Sequence, residues 1–165
     1  MAKKTDDKSS GKNKKPAGPR ISNHKARHEY HIVETLECGL ELVGTEVKSL
    51  RAGQAKIDEA YVRIRDGQVW LVGANIATYP LAGPLMQHDP TRDRRLLVHR
   101  RQIAALMTHV KQKGKTMVPL AVYFHRGWAK VEIALAEGKK MFDKRQDLKR
   151  KQAQRDIARE MNRRR

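Results

Sequence analysis

Apolar and polar residues alternate over residues 30–42, and this alternation is the strongest constraint on how the chain can fold. Most of the large apolar residues of the segment stand at even positions, namely Tyr30, Ile32, Leu36, Cys38, Leu40 and Leu42, whereas Glu37 stands at an odd position. A period of two places the apolar side chains on one face of a β-strand. The segment therefore predicts a long, half-buried strand with Glu37 pointing outward, and Gly39 is expected to allow a bend.

Two further pairs of alternating segments predict hairpins. Asp66-Gly67 is a strong turn signal between the first pair, and Arg126-Gly127 joins the second. The paired segments are 57–65 with 69–73, and 116–125 with 128–136. Because a short apolar piece at 96–98 adds another candidate strand, five or more antiparallel strands are expected.

Helices are predicted at 44–53 and 99–113. In the first, Thr45 is expected to cap the helix and Gly53 to end it, so that Lys48 and Arg51 share an exposed face. In the second, apolar residues at helical spacing are expected to face inward. They are Ile103, Leu106, Met107 and Val110. Residues 74–95 contain three prolines and predict a long loop.

Antiparallel strands with a bend are most economically arranged as a small barrel, because closure removes exposed sheet edges. The predicted fold class is mainly β with flanking helices, an OB-like antiparallel β-barrel. The predicted domains are a disordered basic arm at 1–20, the barrel at 21–137 and a basic tail at 138–165. Since the tail has no apolar stripe along one face, we expect it to be disordered alone and helical on a polyanionic partner.

Positive charge is concentrated at the two ends of the chain. The formal net charge is +18; residues 1–20 hold seven basic and two acidic residues, and residues 138–165 hold twelve and four. Basic arms on a nearly balanced centre are typical of nucleic-acid binders, because each neutralised phosphate releases counterions. An anionic membrane would also attract such arms, but the tail has no apolar face to bury in one.

The sequence lacks the residue groupings that are typical of catalysis or metal binding. Cys38 is the only cysteine and is expected to pack inward, while His24 and His28 lack a third metal ligand. There is no phosphate-binding glycine-rich motif, and the acidic residues are too scattered to hold magnesium. We therefore expect no catalytic residue, metal or cofactor. The N-terminus has no secretory pattern, which predicts a cytoplasmic protein without a membrane anchor.

Cationic and polar residues in four places are candidates for RNA contacts. They precede the first strand, lie on the first predicted helix, follow Pro90, or point outward from the last strand. The candidates are Asn23, Lys25, Arg27, His28, Lys48, Arg51, Arg92, Arg94 and Lys130. For the arginines after Pro90, a merely solvated loop fits the sequence equally well.

Six motifs occur in order along the chain: NHKARHEY (23–30), GTEVKSLRAG (44–53), RDG (65–67), GANI (73–76), DPTRDRRLL (89–97) and GKKMFDKR (138–145). Together they resemble the SmpB family, the SsrA-binding proteins of bacterial trans-translation. The resemblance runs from about residue 23 to the end of the chain. Two positions depart from the family pattern: Phe142 stands where histidine is frequent, and Glu160 where an apolar residue is frequent.

The resemblance implies a monomeric, non-catalytic barrel that binds the tRNA-like domain of transfer-messenger RNA (tmRNA). It also implies that the tail enters the decoding centre and empty mRNA channel of the small ribosomal subunit. Elongation factor Tu and alanyl-tRNA synthetase would be reached indirectly, through the RNA. The RNA-gripping residues so implied are Asn23, Glu37, Leu97 and Lys130. The tail residues so implied are Gly138, Lys139, Lys140, Phe142, Asp143, Lys144, Arg145, Ile157 and Met161.

Two other functions stay open at this point. A generic OB-fold protein would bind unstructured single-stranded RNA tightly, which recognition of a tRNA-like shape does not require. A nuclease or RNA-modifying enzyme would turn over RNA with a metal ion, and the scattered acidic residues argue against that class.

Overall fold

The computed structural model describes residues 18–110, 114–140, 143, 152–153, 155–157 and 159–161 of the 165-residue chain. Most of the predicted N-terminal arm lies outside the described residues. The strands are β1 (Ile21–Ser22), β2 (Tyr30–Leu40), β3 (Ala55–Lys56), β4 (Tyr61–Arg65), β5 (Gln68–Val72), β6 (Asn75–Ile76), β7 (Arg94–Leu97), β8 (Lys115–His125) and β9 (Trp128–Gly138). The helices are α1 (His24–Glu29), α2 (Gly44–Arg51) and α3 (Arg100–Val110), with a 3₁₀ turn at Pro84–Met86.

The main sheet closes on itself through antiparallel pairs only. Its strand order is β1-β8-β4-β5-β7-β2-β9, and β8 also pairs with β9, so the six strands from β8 round to β9 form a ring. The short strands β3 and β6 pair separately. This arrangement confirms the predicted mainly β fold with flanking helices. Ring closure leaves few unpaired edges, which is the advantage of barrels over open sheets.

A β-bulge in β2 changes which face of the sheet its side chains occupy. The pairing with β9 shifts between Ile32 and Glu34. Before the shift, Tyr30 and Ile32 pack in a small cluster under α1. After it, Leu36 and Cys38 enter the barrel core. An extra residue in one strand reverses the alternation beyond it, so the prediction of one uninterrupted inward series was wrong.

β8 contains a second bulge with the same effect. Its pairing with β9 shifts between Pro119 and Ala121. Val118 therefore packs on the outside, under α1, whereas Val122 and Phe124 fill the core. β9 itself contains no extra residue at either shift, and its residues Ala129, Val131, Ile133 and Leu135 all lie on the core face.

Helix α1 covers part of the outer surface of the β8–β9 hairpin. Asn23 caps the helix: its side-chain oxygen accepts a hydrogen bond from the backbone N–H of Ala26 at 2.8 Å. The Asn23 amide nitrogen donates to the carbonyl of Ile57 at 3.0 Å. Its backbone N–H donates to the carbonyl of Leu120 at 2.8 Å, which fixes α1 on the sheet.

Helix α2 begins one residue earlier than its predicted cap. Its N-cap is Val43, whose backbone N–H donates to Oε2 of Glu46 at 2.9 Å. The prediction that Thr45 caps the helix was wrong, because its hydroxyl instead contacts Nδ1 of His88 at 2.8 Å. Leu50 is buried in the barrel core, while Lys48 and Arg51 are exposed, as predicted.

Helix α3 packs on the barrel with fewer residues than predicted. Leu106 is buried and Ile103 packs against the core. Met107 and Val110, predicted to face inward, are exposed. Residues 111–113 lie outside the described residues.

Both predicted hairpin turns are confirmed. Asp66 and Gly67 have φ values of 53° and 69°, and Arg126 and Gly127 have φ values of 49° and 85°. Two consecutive residues of positive φ define the turn type that matches the twist of an antiparallel pair.

Candidate nucleic-acid interface

The part of the β8–β9 outer surface that α1 does not cover continues across β2 to β7 as one face of the sheet. Four residues follow one another across neighbouring strands: Leu97 of β7, Gly39 of β2, Lys130 of β9 and Tyr123 of β8. Glu37 and Glu132 form the next cross-strand pair on this side of the sheet. We call this surface the open face, comprising Gly39, Leu97, Tyr123, Lys130, Glu37 and Glu132.

Glu37 is held at the centre of the open face by two side chains from adjacent strands. The Tyr123 hydroxyl donates a short hydrogen bond to its Oε2, and Lys130 Nζ lies 3.2 Å from its Oε1. The Tyr123 bond has the largest effect and lowers the pKa of Glu37; burial, which comes next, raises it, and the hydrogen bond and charge of Lys130 lower it further. Glu37 is therefore an ionised acceptor whose orientation is fixed on both sides.

Tyr123 has its own ionisation suppressed by this arrangement. Burial raises the pKa of Tyr123 to about 12, and the hydrogen bond to Glu37 and that carboxylate's negative charge act in the same direction. The phenol therefore stays a neutral donor at physiological pH, with the bond to Glu37 maintained.

Leu97 supplies an apolar group at the edge of the open face. It is 53% exposed although it stands in a paired strand. It lies against Gly39, where an added Cβ would come within 3.1 Å of the Leu97 Cβ. The glycine therefore leaves the space that this leucine occupies, and a larger residue there would displace it.

The open face combines groups that suit an RNA backbone and its riboses. Lys130 offers a cation, Glu37 an oriented acceptor for hydroxyl or amino donors, and Leu97 an apolar surface. RNA helices present 2′-hydroxyls and phosphates on their wide groove, where such contacts read shape more than sequence. Three of the four residues implied by resemblance lie here.

Asn23, the fourth of these residues, does not reach the surface. Its side chain is buried and both of its polar ends are used in the cap of α1 and the bond to Ile57. The structure therefore does not support a direct RNA contact for Asn23. Its effect on RNA binding would be exerted through the placement of α1.

Arg94 is likewise not available to RNA, and the prediction that it binds RNA was wrong. Its side chain is fully buried, with Nε 2.9 Å from Oε1 of Glu46. Its remaining nitrogens donate to the carbonyls of Ala74, Pro90 and Arg92 at 2.6, 2.9 and 3.0 Å. Each of the three guanidinium nitrogens thus has an internal partner, and the arginine holds the 74–93 loop to the barrel.

Arg92 is only partly available. Its Nε and Nη2 lie 2.8 and 2.6 Å from the two carboxylate oxygens of Glu46, in a bidentate pair. Burial by itself would raise the pKa of Glu46, but the hydrogen bonds from Arg92 and Val43 and the charge of Arg94 lower it overall. Arg92 and Arg94 thus mainly stabilise the fold and are not simply side chains of a solvated loop.

The remaining basic candidates lie outside the open face. Lys25, Arg27 and His28 are on α1, where Lys25 Nζ lies 3.3 Å from Oε1 of Glu59. Lys48 lies 5.2 Å from the ring centroid of Tyr79, and Arg51 lies 5.4 Å from that of Phe124. These basic side chains remain predictions as RNA contacts.

A model of the SmpB protein family matches residues 20–163 of the chain. The chain belongs to the SmpB family. A relative from Corynebacterium jeikeium named SsrA-binding protein is 54% identical over 143 residues, which cover 87% of this chain and 77% of the relative. One of the same name from Trichormus variabilis is 51% identical over 139 residues, covering 84% and 90%.

A solved SmpB structure has the same fold. It is described as "tmRNA-SmpB: a journey to the center of the bacterial ribosome", and its matching chain is 46% identical with a TM-score of 0.64. The match covers 75% of this chain and 87% of that one.

The SmpB tail begins at Gly138, beside α1 and away from the open face. Gly138 ends β9 opposite Tyr30, and Lys139 donates to the carbonyls of Glu29 and Arg27 through its backbone N–H (2.9 Å) and Nζ (3.1 Å). The backbone N–H of Lys140 lies 3.3 Å from Oδ2 of Asp143. Phe142, Lys144 and Arg145 lie outside the described residues.

The described part of the far tail is helical, at 152–153, 155–157 and 159–161. Ile157 and Met161 are 59% and 67% exposed. Their exposure agrees with the sequence expectation that the tail has no apolar stripe for docking on its own barrel.

Two SmpB residues next to the RNA candidates were not indicated as site residues by the sequence. Tyr123 stands between two inward residues, Val122 and Phe124, so the alternation of side chains along the strand predicts that it points outward. Arg20 was assigned to the disordered arm, yet its guanidinium lies 4.8 Å from the Tyr123 ring centroid and pairs with Glu132. No sequence pattern marks that contact.

The described residues also bear on metal binding, thiol reactivity and membrane insertion. Among them, no group of three or more His, Cys, Asp or Glu is placed to hold a metal ion. Burial raises the pKa of the Cys38 thiol to about 12, so it packs as a neutral group. Within the described part of the chain, no helix is long and apolar enough to cross a membrane.

Proposed function

We propose that this chain is an RNA-binding ribosome-rescue factor that binds the tRNA-like domain of tmRNA and delivers it to stalled ribosomes for trans-translation. Its relatives carry the name SsrA-binding protein, and the similar solved chain belongs to a tmRNA–SmpB structure that concerns the bacterial ribosome. The partners are tmRNA and the ribosome, and the site of action is therefore the cytoplasm.

The RNA-gripping surface in this proposal is the open face. The observation that carries it is the convergence of Glu37, Leu97 and Lys130, which are far apart in sequence, on one uncovered side of the sheet. Their chemistry suits ribose hydroxyls, an apolar sugar face and a phosphate. Phosphate contacts contribute affinity, and the fixed orientation of Glu37 contributes selectivity for shape.

The basic tail is proposed to act separately, in the empty mRNA channel downstream of the decoding centre. Its start is fastened to α1 by Lys139, so the tail leaves the barrel at a defined point. Twelve basic residues suit a channel walled by phosphate, and the exposed Ile157 and Met161 do not tie the tail to the barrel. A helix there would report that no message is present.

No chemical step is assigned to the protein itself. The family is one of RNA-binding proteins, and the function proposed consists of binding, delivery and sensing.

Competitive gel-shift binding tests the proposal. At matched salt, we expect the full-length protein to bind tmRNA in preference to bulk tRNA and to an unstructured oligonucleotide. Equal affinity for tmRNA and tRNA would contradict specific recognition. Tighter binding to the unstructured oligonucleotide would instead support a generic single-strand binder.

A further inference from the structure

Two carboxylates stand side by side on the open face. Glu37 of β2 and Glu132 of β9 are direct cross-strand partners. Like charges in that relation repel each other, and both would repel RNA phosphates. The structure gives each carboxylate its own cation: Lys130 for Glu37, and Arg20 for Glu132.

Arg20 is placed on the open face by the strand that follows it. β1 pairs with β8 through Ile21 opposite Val122, so the preceding residue lies over Tyr123. The guanidinium stacks 4.8 Å from the centroid of the Tyr123 ring, and Nη2 forms an ion pair with Glu132. Both contacts hold an otherwise flexible side chain in one orientation.

The stacked guanidinium keeps capacity for another ligand. Its side chain is 48% exposed. Among the described residues, Nη2 is the Arg20 atom that pairs with Glu132, which leaves Nε and Nη1 as donors. Arginine presents five N–H donors in a planar fork that matches phosphate oxygens. Because stacking already restricts the side chain, little further rotamer freedom is lost when it binds.

We propose that Arg20 is a phosphate-binding residue of the open face, oriented by Tyr123 and Glu132. This inference rests on the proposed function, because it takes the open face as the RNA-gripping surface. The ligand class is a backbone phosphate of structured RNA that lies across β8 and β9. Stacking on a base is less compatible with the geometry, since the guanidinium already occupies the nearest face of the Tyr123 ring.

The salt dependence of RNA binding tests this proposal. Each phosphate contact contributes about one unit to the slope of log K against log[salt]. We expect Arg20→Gln to lower the magnitude of this slope by about one unit for the tRNA-like domain of tmRNA. A thermal melt that matches the unsubstituted protein shows that the fold is kept.

Arg65→Gln is a closely matched control. Arg65 also stacks on an aromatic ring, 4.8 Å from the Trp70 centroid, and lies 3.9 Å from an oxygen of Asp93. Because it lies on β4, outside the open face, its substitution should leave the slope unchanged. An equal fall in slope for both variants would mean that Arg20 acts only through net charge, and would overturn the proposal.

The double variant Arg20→Gln/Glu132→Gln separates a phosphate contact from simple neutralisation of Glu132. If Arg20 binds phosphate, the salt slope of the double variant is smaller in magnitude than that of Glu132→Gln alone. If the double variant matches Glu132→Gln, Arg20 merely shields that carboxylate and the proposal fails. The proposed function is judged on a different quantity, the ratio of tmRNA to tRNA affinity, so either idea can fail without the other.

Discussion

Nε of Arg94 lies 2.9 Å from Oε1 of Glu46, and neither side chain reaches solvent. Arg92 binds the same carboxylate from the partly exposed side. The pair joins α2 to β7, while the other Arg94 nitrogens hold the carbonyls of Ala74 and Pro90. One buried carboxylate therefore organises the long loop that precedes β7.

Removal of the Glu46 charge should destabilise the fold strongly. Glu46→Gln leaves Arg94 buried without its counter-charge, and loss of one partner from a buried pair costs about 3–5 kcal/mol. The free energy of unfolding in urea measures this loss. Glu41→Gln is the control, because its 2.6 Å pair with Arg95 is exposed and should contribute less than about 1 kcal/mol. Comparable losses in both variants would contradict the assignment.

The Glu46 contribution should disappear in acid. The pKa of Glu46 is lowered in the folded state from its usual 4.5, so the folded protein binds fewer protons at this site than the unfolded chain. Such a group stabilises the fold above its unfolded pKa and loses that effect as pH falls through the folded value. The stability difference between the unsubstituted protein and Glu46→Gln should therefore be constant near neutrality and narrow below pH 4.5. A difference that widened in acid would refute this sign.

Tyr123→Phe should change the ionisation of Glu37 without unfolding the barrel. The hydroxyl of Tyr123 is the main cause of the lowered pKa of Glu37, so its removal should move that pKa upward. NMR titration of the Glu37 side-chain carboxyl carbon measures the change. Tyr61→Phe, an exposed tyrosine on β4, should leave the Glu37 titration unaltered. We also expect Tyr123→Phe to weaken tmRNA binding and Tyr61→Phe to leave it unchanged.

Truncation after Lys140 should separate RNA binding from the ribosomal step. It keeps all of β9 and the contacts of Lys139 with α1, so tmRNA affinity should be nearly unchanged. Peptide tagging on stalled ribosomes should be lost, because the tail is absent. Truncation after Ala136 is a poorer test, since it also removes the pairs of Tyr30 with Gly138 and His31 with Glu137. Loss of both activities in the variant that ends at Lys140 would contradict the division of roles.

Sequence periodicity was sufficient for the hairpins and the fold class, because these depend on local patterns. It failed where an extra residue interrupts a strand. The bulges after Ile32 and Pro119 reverse which face the later residues occupy. Apolar residues nevertheless stand at even positions on both sides of each bulge, as Ile32 and Leu36 do in β2 and Val118 and Val122 do in β8. Both strands carry apolar residues on core and helix-covered faces, so the sequence does not reveal the change of face.

The candidate site was predictable only in part, for a chemical reason. Arginine and asparagine side chains bind carbonyl and carboxylate oxygens inside a protein as readily as they bind RNA. Arg94 and Asn23 fulfil the internal role, and their sequence context does not distinguish the two. The Arg20 contact depends on β1 lying beside β8, which is a long-range relation.

β9 carries both of the surfaces to which functions are proposed. Lys130 stands near its beginning, and Gly138 ends it where the tail departs. Eight residues of strand span about 25 Å, and pairing with β2 and β8 along that length makes the strand a stiff spacer. The distance between the proposed RNA-binding face and the start of the tail is thus set by the number of residues between Lys130 and Gly138. Inserting two residues in β9 would lengthen this distance and keep each side chain on its present face of the sheet. Inserting one residue would move every side chain on one side of the insertion to the opposite face.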